Sequence, residues 1–290
     1  MVAPISPPRT SRRFLIFGVL ASTSYSFSYI FVRHLGAAGL HPFQIVFFRT
    51  AICTLLLVGL TLALRRSFRA KMPGKILFRG CLSALGLLLW FYGLVHLPLA
   101  EATSLSLTTI CFATLGAALF LGEHVTRFRI LAILAALCGA LAIIRPGVEG
   151  LQPEALSVLA AAACWGIAAV LVRSASRSEE PLIIALWTSA VITVFSLPAA
   201  LPFWIWPEGW QWAELGAIGL LTASGTLFWT TALRHGQTTQ VIITDFVQLA
   251  WGVLIGLAAG EVLEGWSVFG IVLIASATLL VAFDKTVNRP

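Results

Sequence analysis

The sequence predicts an all-α integral membrane protein of ten transmembrane helices, arranged as two inverted five-helix repeats. Three observations carry that expectation: a charge-poor composition, ten long apolar windows, and short motifs that recur in order about halfway along the chain. Of its 290 residues 59% are hydrophobic and 11% charged, and the mean hydropathy is +0.94. Soluble domains carry roughly 25% charged residues. At about 20 residues per crossing, ten helices use most of the chain and leave little for a soluble domain.

Proline, glycine and charge cut the apolar sequence into spans over 14–33, 42–64, 76–95, 99–121, 128–145, 155–173, 182–202, 213–233, 239–259 and 266–283. The first follows Arg9, Arg12 and Arg13 but is too long for a signal peptide and lacks a small-residue exit, so it reads as an uncleaved span. Each window is continuously apolar, which favours helices over the alternating ten-residue segments of a membrane barrel. The expected organisation is a cytoplasmic tail (1–13), a first repeat (14–145), an outer linker (146–154), a second repeat (155–283) and a second cytoplasmic tail (284–290).

Sixteen of the 19 lysines and arginines fall before the first span, after the last, or in connections on one side. The other side holds Arg33 and Arg145, and Arg49 lies inside a span. This bias places both termini in the cytoplasm. The formal charge of +7 therefore reports topology and gives no reason to invoke nucleic acid. Cys53, Cys81, Cys111, Cys138 and Cys164 lie in apolar runs without metal or disulfide spacing and read as small buried hydrophobes. The connection PFWIWPEGWQW holds Trp204, Trp206, Trp210 and Trp212 and reads as an interfacial anchor.

Gly122-Glu123 falls on Gly260-Glu261 at an offset of 138, and His96-Leu97 faces Arg234-His235 at the same offset. At 140, Tyr25-Ser26 faces Trp165-Gly166 and Val32-Arg33 faces Val172-Arg173. Five helices is an odd number, so the second copy enters the bilayer from the opposite side. Inverted repeats are the architecture of many secondary transporters, with the substrate site near the midplane.

The proline-led second helix with an internal arginine (HPFQIVFFRT), the PLAEATSL opening of the fourth and its LGE exit resemble the EamA family of the drug/metabolite transporter superfamily. Within that family the chain is similar to YddG-type exporters of aromatic and other neutral amino acids. The resemblance implies a transporter with a central cavity lined by the first, third, fourth, sixth, eighth and ninth helices, and it supplies no substrate-determining residue.

Ionisable groups inside a bilayer normally face the bundle interior or a wet cavity. Arg49 lies roughly 10 Å in from the outer face, at a depth where Glu101 is the nearest carboxylate. Asp245 is about as deep from the inner face, with Arg173, Arg177 and Arg234 as candidate partners, and can hold an ammonium, carry a proton or close a gate. Thr244 and Gln248 share its helix face, and Ser104 and Thr108 form a polar stripe on the fourth helix. Tyr25, Tyr29, Trp90, Tyr92, Trp165 and Trp229 supply aromatic walls suited to an amphiphilic solute. Gly252, Gly256 and Gly260, with Thr114, Ala118 and Gly122 at the same offset of 138, form small-residue ridges read as gates or as plain packing.

No HExxH, GxSxG or P-loop is present, so the sequence gives no sign of an enzyme, a metal or a cofactor. The expected function is secondary active export of amino acids or related amphiphilic metabolites across a bacterial inner membrane. A carrier of organic cations or drugs, a carrier of a nucleotide-derived metabolite, and a channel are the alternatives. The expected partners are a small-molecule substrate and the lipid bilayer, and the sequence is compatible with a monomer or a homodimer.

Overall fold

A run of helices joined by short turns fills residues 13–70, 73–121, 127–144, 152–172, 180–235, 241 and 243–282, the residues that the computed structural model describes. The helices are α1 (Arg13–Ala37), α2 (Pro42–Ala63), α3 (Pro73–His96), α4 (Leu99–Ser106), α5 (Thr109–Leu121), α6 (Arg127–Ile144), α7 (Pro153–Val172), α8 (Pro181–Ala200), α9 (Gly209–His235), α10 (Phe246–Ala258) and α11 (Gly265–Ala282). Proline opens α2, α3, α7 and α8, where its missing N–H has no partner to lose. His41 caps α2, its Nδ1 accepting the Phe43 N–H at 3.3 Å. Partial burial and the neighbouring His96 hold His41 below the ordinary histidine range, which keeps that nitrogen an acceptor.

Among the described residues six stretches are long and apolar enough to cross a membrane unaided, and four shorter apolar helices complete ten. Large apolar side chains project outward from mid-helix, Leu131 60%, Val194 67% and Val272 58% exposed, as a lipid-facing surface requires.

Among the described residues, two of the ten windows are not the continuous helices that the sequence suggests. The fourth breaks at residues 107–108, where Leu107 and Thr108 donate to Ser104 and Leu105, three residues back, at 3.0 and 3.1 Å. The hydroxyls of Thr103, Ser104, Ser106, Thr108 and Thr109 all donate to carbonyls one turn earlier, competing with the helical ladder along this stretch. The ninth window is interrupted by a 3-10 turn at Ile243–Asp245 before α10 begins. Leu107 and Asp245 are 138 residues apart, so the two interruptions occupy equivalent places in the repeats.

The packing has the symmetry that the offsets imply. α1 packs on α9 as α7 packs on α3, and α2 packs on α9 as α8 packs on α3, while α2·α8 and α6·α11 cross between equivalent helices and α10, the counterpart of α5, packs on α4. Individual residues repeat the relation. Gly80 meets Val191 and Gly219 meets Ile52, and Gly86 lies against the Trp165 ring as Gly225 lies against that of Tyr25. On the α6·α11 axis Gly139 and Gly270 each approach the other's carbonyl.

We call the end carrying the start of α1 and the close of α11 the terminal end and the opposite one the distal end. One continuous core fills the centre and the distal half, with Leu35, Ile45, Phe91, Leu94, Leu99 and Leu105 among its buried members. In the terminal half the described apolar residues form two separate clusters. One joins Ile110, Cys111, Ala132, Ile133, Ala136 and Ala277, and the other joins Cys53, Leu57, Ala185, Leu186 and Ala223.

Candidate functional site

The interface between repeats is polar where α1 meets α9 and α10. Ser22, Ser26 and Tyr29 follow i, i+4, i+7 spacing on α1 and are all buried. The Asp245 carboxylate lies 3.5 Å from Ser22 Oγ and accepts a hydrogen bond from Gln248 Nε2 at 3.1 Å. Gln248 in turn accepts from the Tyr29 hydroxyl at 3.2 Å. One turn toward the terminal end, Tyr25 donates to Thr226 Oγ1 at 3.1 Å. A chain of polar contacts thus runs from Asp245 through Gln248 to Tyr29 between helices of opposite repeats. The interruption preceding α10 positions its head, since Asp245 closes the 3-10 turn and Gln248 sits in the first turn of helix.

Arg49 enters from α2 and is 4% exposed. Its Nε donates to Thr222 Oγ1 at 2.7 Å, and its guanidinium carbon lies 4.9 Å from the Phe91 ring centre and 5.9 Å from that of Tyr25. These contacts take the place of the pairing with Glu101 that depth alone suggests; Glu101 lies in the first turn of α4. Tyr29 packs on Trp90 with ring centres 5.7 Å apart, and Trp90 on Trp165 at 5.9 Å.

Of the residues singled out in the sequence, the structure therefore gathers Tyr25, Tyr29, Arg49, Trp90, Trp165, Asp245 and Gln248. Thr244 faces α1 but packs on Gly18 and donates to Val241 O at 2.6 Å. Ser104 and Thr108 donate to Glu101 O and Leu105 O within the broken fourth span, so their hydroxyls are already engaged. Tyr92 stacks on His96 at the close of α3, and Trp229 packs on the Ile110 cluster, so neither joins the group. Arg173 and Arg177 lie outside the described residues; among those described, Asp245 contacts Ser22 and Gln248 and forms no ion pair with Arg234.

The distal closure was only partly legible. Gly252 packs on α4, where a Cβ would lie 2.5 Å from Thr103 Oγ1 and 3.3 Å from Leu99 O, and Gly256 packs on the Glu261 carboxylate. Gly260 does not continue this ridge, as nothing lies within 4 Å of it. It has a φ of +79° and ends α10. Glu261 N bonds Gly256 O at 2.9 Å and Gly260 N bonds Leu257 O at 3.0 Å, the paired bonds of a Schellman cap. That cap presents Glu261, which forms an ion pair with Arg33 of α1 and accepts the Leu99 N–H at the start of α4 at 2.8 Å. Thr114 donates to Ile110 O. Ala118 lies in α5, its side chain outside the description, and Gly122 lies outside the described residues.

Sequence reasoning missed Thr222, Thr226 and the Arg33–Glu261 pair. The two threonines stand at i, i+4 spacing on α9, which marks one face. Arg33 and Glu261 each belong to a matched motif of the repeats, although nothing in the sequence joins them. At the same end Glu214 accepts from His34 at 2.8 Å, and the Gln44 amide clasps the backbone of Ile205. Trp206, Trp210 and Trp212 are exposed there, while Trp204 packs on Phe47 and Phe48.

The EamA-like transporter family model matches the chain twice, over residues 12–145 and 152–283. The pseudopaline exporter CntI of Pseudomonas aeruginosa is 31% identical over 93% of this chain and 96% of its own length. A riboflavin transporter of Rhizobium johnstonii is 34% identical over 74% of this chain and 72% of its own. An S-adenosylmethionine uptake transporter of Rickettsia felis is 25% identical over 92% and 91%. One crystal structure superposes with a TM-score of 0.66 at 18% identity, covering 92% of this chain and 95% of its own, a likeness of fold. These relatives support the family and not the narrower likeness to YddG-type amino-acid exporters.

Proposed function

Starting from the fact that this chain belongs to the EamA-like transporter family, we propose that it exports amino acids or related amphiphilic metabolites by alternating access. It is a multi-pass membrane transporter of small molecules and not an enzyme, as the family and its named relatives are. The observation that supports the finer reading is the partly buried chain Ser22–Asp245–Gln248–Tyr29 at the seam between repeats. A carboxylate in such a place suits a substrate ammonium or a coupling proton, and Trp90 and Trp165 offer faces to an apolar side chain. The relative named as an exporter supports the direction.

The two termini face the cytoplasm of a bacterial inner membrane in this reading, because sixteen of the 19 basic residues lie on that side. The distal end then faces the periplasm, where Arg33, Glu261 and the Leu99 N–H close it. Organic cations are the second reading, favoured by Asp245 beside aromatic walls. The relatives named for riboflavin and S-adenosylmethionine favour a larger metabolite.

Counterflow in proteoliposomes tests the proposal, with phenylalanine, leucine, threonine, methionine and tetraethylammonium as competitors. Saturable flux of amino acids is the expected result, and unsaturable flux of all solutes would identify a pore. Asp245→Asn is expected to abolish the pH dependence of flux if Asp245 carries the proton. An identical pH response in both proteins assigns Asp245 to the substrate or to packing.

A further inference from the structure

Two buried donors in the candidate site make no hydrogen bond of ordinary geometry. Arg49 Nη1 and Trp90 Nε1 are shielded from solvent, in residues 4% and 2% exposed, and the Tyr29 hydroxyl is the polar neighbour of Trp90. A buried donor left unsatisfied is costly, and more so on a charged group. The rest of Arg49 is held firmly, Nε by Thr222 and the guanidinium plane between Phe91 and Tyr25, so its position is set by its neighbours. Trp90 is fixed likewise between Tyr29 and Trp165. Arg49 contacts Tyr25 and Trp90 contacts Tyr29, two rings one helical turn apart on α1, so the idle donors flank the same stretch of that helix.

We infer that Arg49 Nη1 and Trp90 Nε1 form a carboxylate subsite, so that the solutes this protein carries bear a carboxylate at one end and are received there. A guanidinium N–H gives a carboxylate a charge-assisted hydrogen bond, and the indole N–H supplies a second, neutral donor. The acidic end of the site, where Ser22 meets Asp245, lies about one turn of α1 from Tyr25 and about two from Tyr29, so the pair of poles fits a zwitterion better than a simple cation. This inference rests on the proposed transport reading, and it selects among the solutes that reading leaves open.

The test uses the full chain in proteoliposomes, with four probes that share one ring: phenylalanine, phenylalaninamide, phenethylamine and 3-phenylpropionate. Phenylalanine is expected to compete at least about tenfold better than phenylalaninamide and phenethylamine, which lack the carboxylate. Trp90→Phe, which narrows the aromatic face and removes the N–H, is expected to weaken phenylalanine at least about threefold more than it weakens phenethylamine. Arg49→Lys is expected to weaken both carboxylates more than tenfold, with an unaltered size-exclusion profile. Equal competition by phenylalanine and its amide, or an effect of Trp90→Phe on the amines alone, overturns the inference and leaves the transporter standing. Saturable transport of no probe by the wild type overturns both.

Discussion

The distal and terminal halves of this bundle are built from the same duplicated helices, yet the contacts among their described residues differ. In the distal half one core joins both repeats, and charged and glycine contacts sit on top of it: Arg33 with Glu261, Glu261 with the α4 backbone, and Gly252 with Thr103. In the terminal half the described apolar residues divide into two clusters, one around α5, α6 and α11 and one around α2, α8 and α9. Ion pairing there is recorded between exposed side chains, Arg66 and Glu180 at 3.1 Å. Inverted repeats make such a difference informative. Two halves of equivalent sequence need not hold the same conformation at once, and alternating access consists of exchanging them. The seam of Asp245, Gln248, Tyr29 and Arg49 lies between the two halves.

The largest expected effect comes from overfilling the seal. Gly252→Leu forces a side chain into Thr103 and the Leu99 carbonyl, at a cost of about 3 kcal/mol in a packed interior. Gly59→Leu on the terminal half of α2, where nothing lies within 4 Å, is the matched control and is expected to leave stability unchanged. Thermal unfolding in detergent compares them, and equal melting temperatures would show that the distal crossing is loose. Next in size is the ion pair. Glu261→Gln keeps an acceptor for the Leu99 N–H but removes the charge facing Arg33, a change of about 1.5 kcal/mol in a charge-assisted contact. With Thr103→Cys as a reporter, 2% exposed in the native arrangement, labelling by an impermeant maleimide is expected to rise about tenfold in the Glu261→Gln background. An unchanged rate would place the distal seal in the core alone.

The fold was legible because hydropathy, charge bias and duplicated motifs each report a property of the whole chain. The site was legible only in composition. Asp245, Gln248 and Tyr29 were visible as intramembrane polar residues, but their mutual contacts cross from α10 to α1, and spacing along one helix says nothing of spacing between two. For the same reason Arg49 was assigned to Glu101 by depth, whereas the structure turns it to Thr222 across the α2·α9 contact. The breaks near Leu107 and Asp245 were missed for a local reason. An apolar window of 20 residues looks continuous in hydropathy even when its hydroxyls pull the backbone into three-residue bonds.

Gly260 offers the smallest and most discriminating change, because it separates the seal from the chain geometry that delivers it. The sequence placed it at the foot of a packing ridge, and the structure places it in the left-handed region with no neighbour to touch. An added methyl therefore meets no steric obstacle, and its cost is that of the backbone conformation alone, about 1 kcal/mol. Gly260→Ala should lower the melting temperature by a few degrees less than Gly252→Leu does. It should also raise Thr103→Cys labelling, since the strained cap no longer holds Glu261 against Gly256 and Arg33. Gly260→Asn, which accepts the left-handed region more readily, should restore most of both values. If the asparagine variant matches the alanine one, the cap does not position Glu261, and the distal ion pair forms whatever the geometry of the turn.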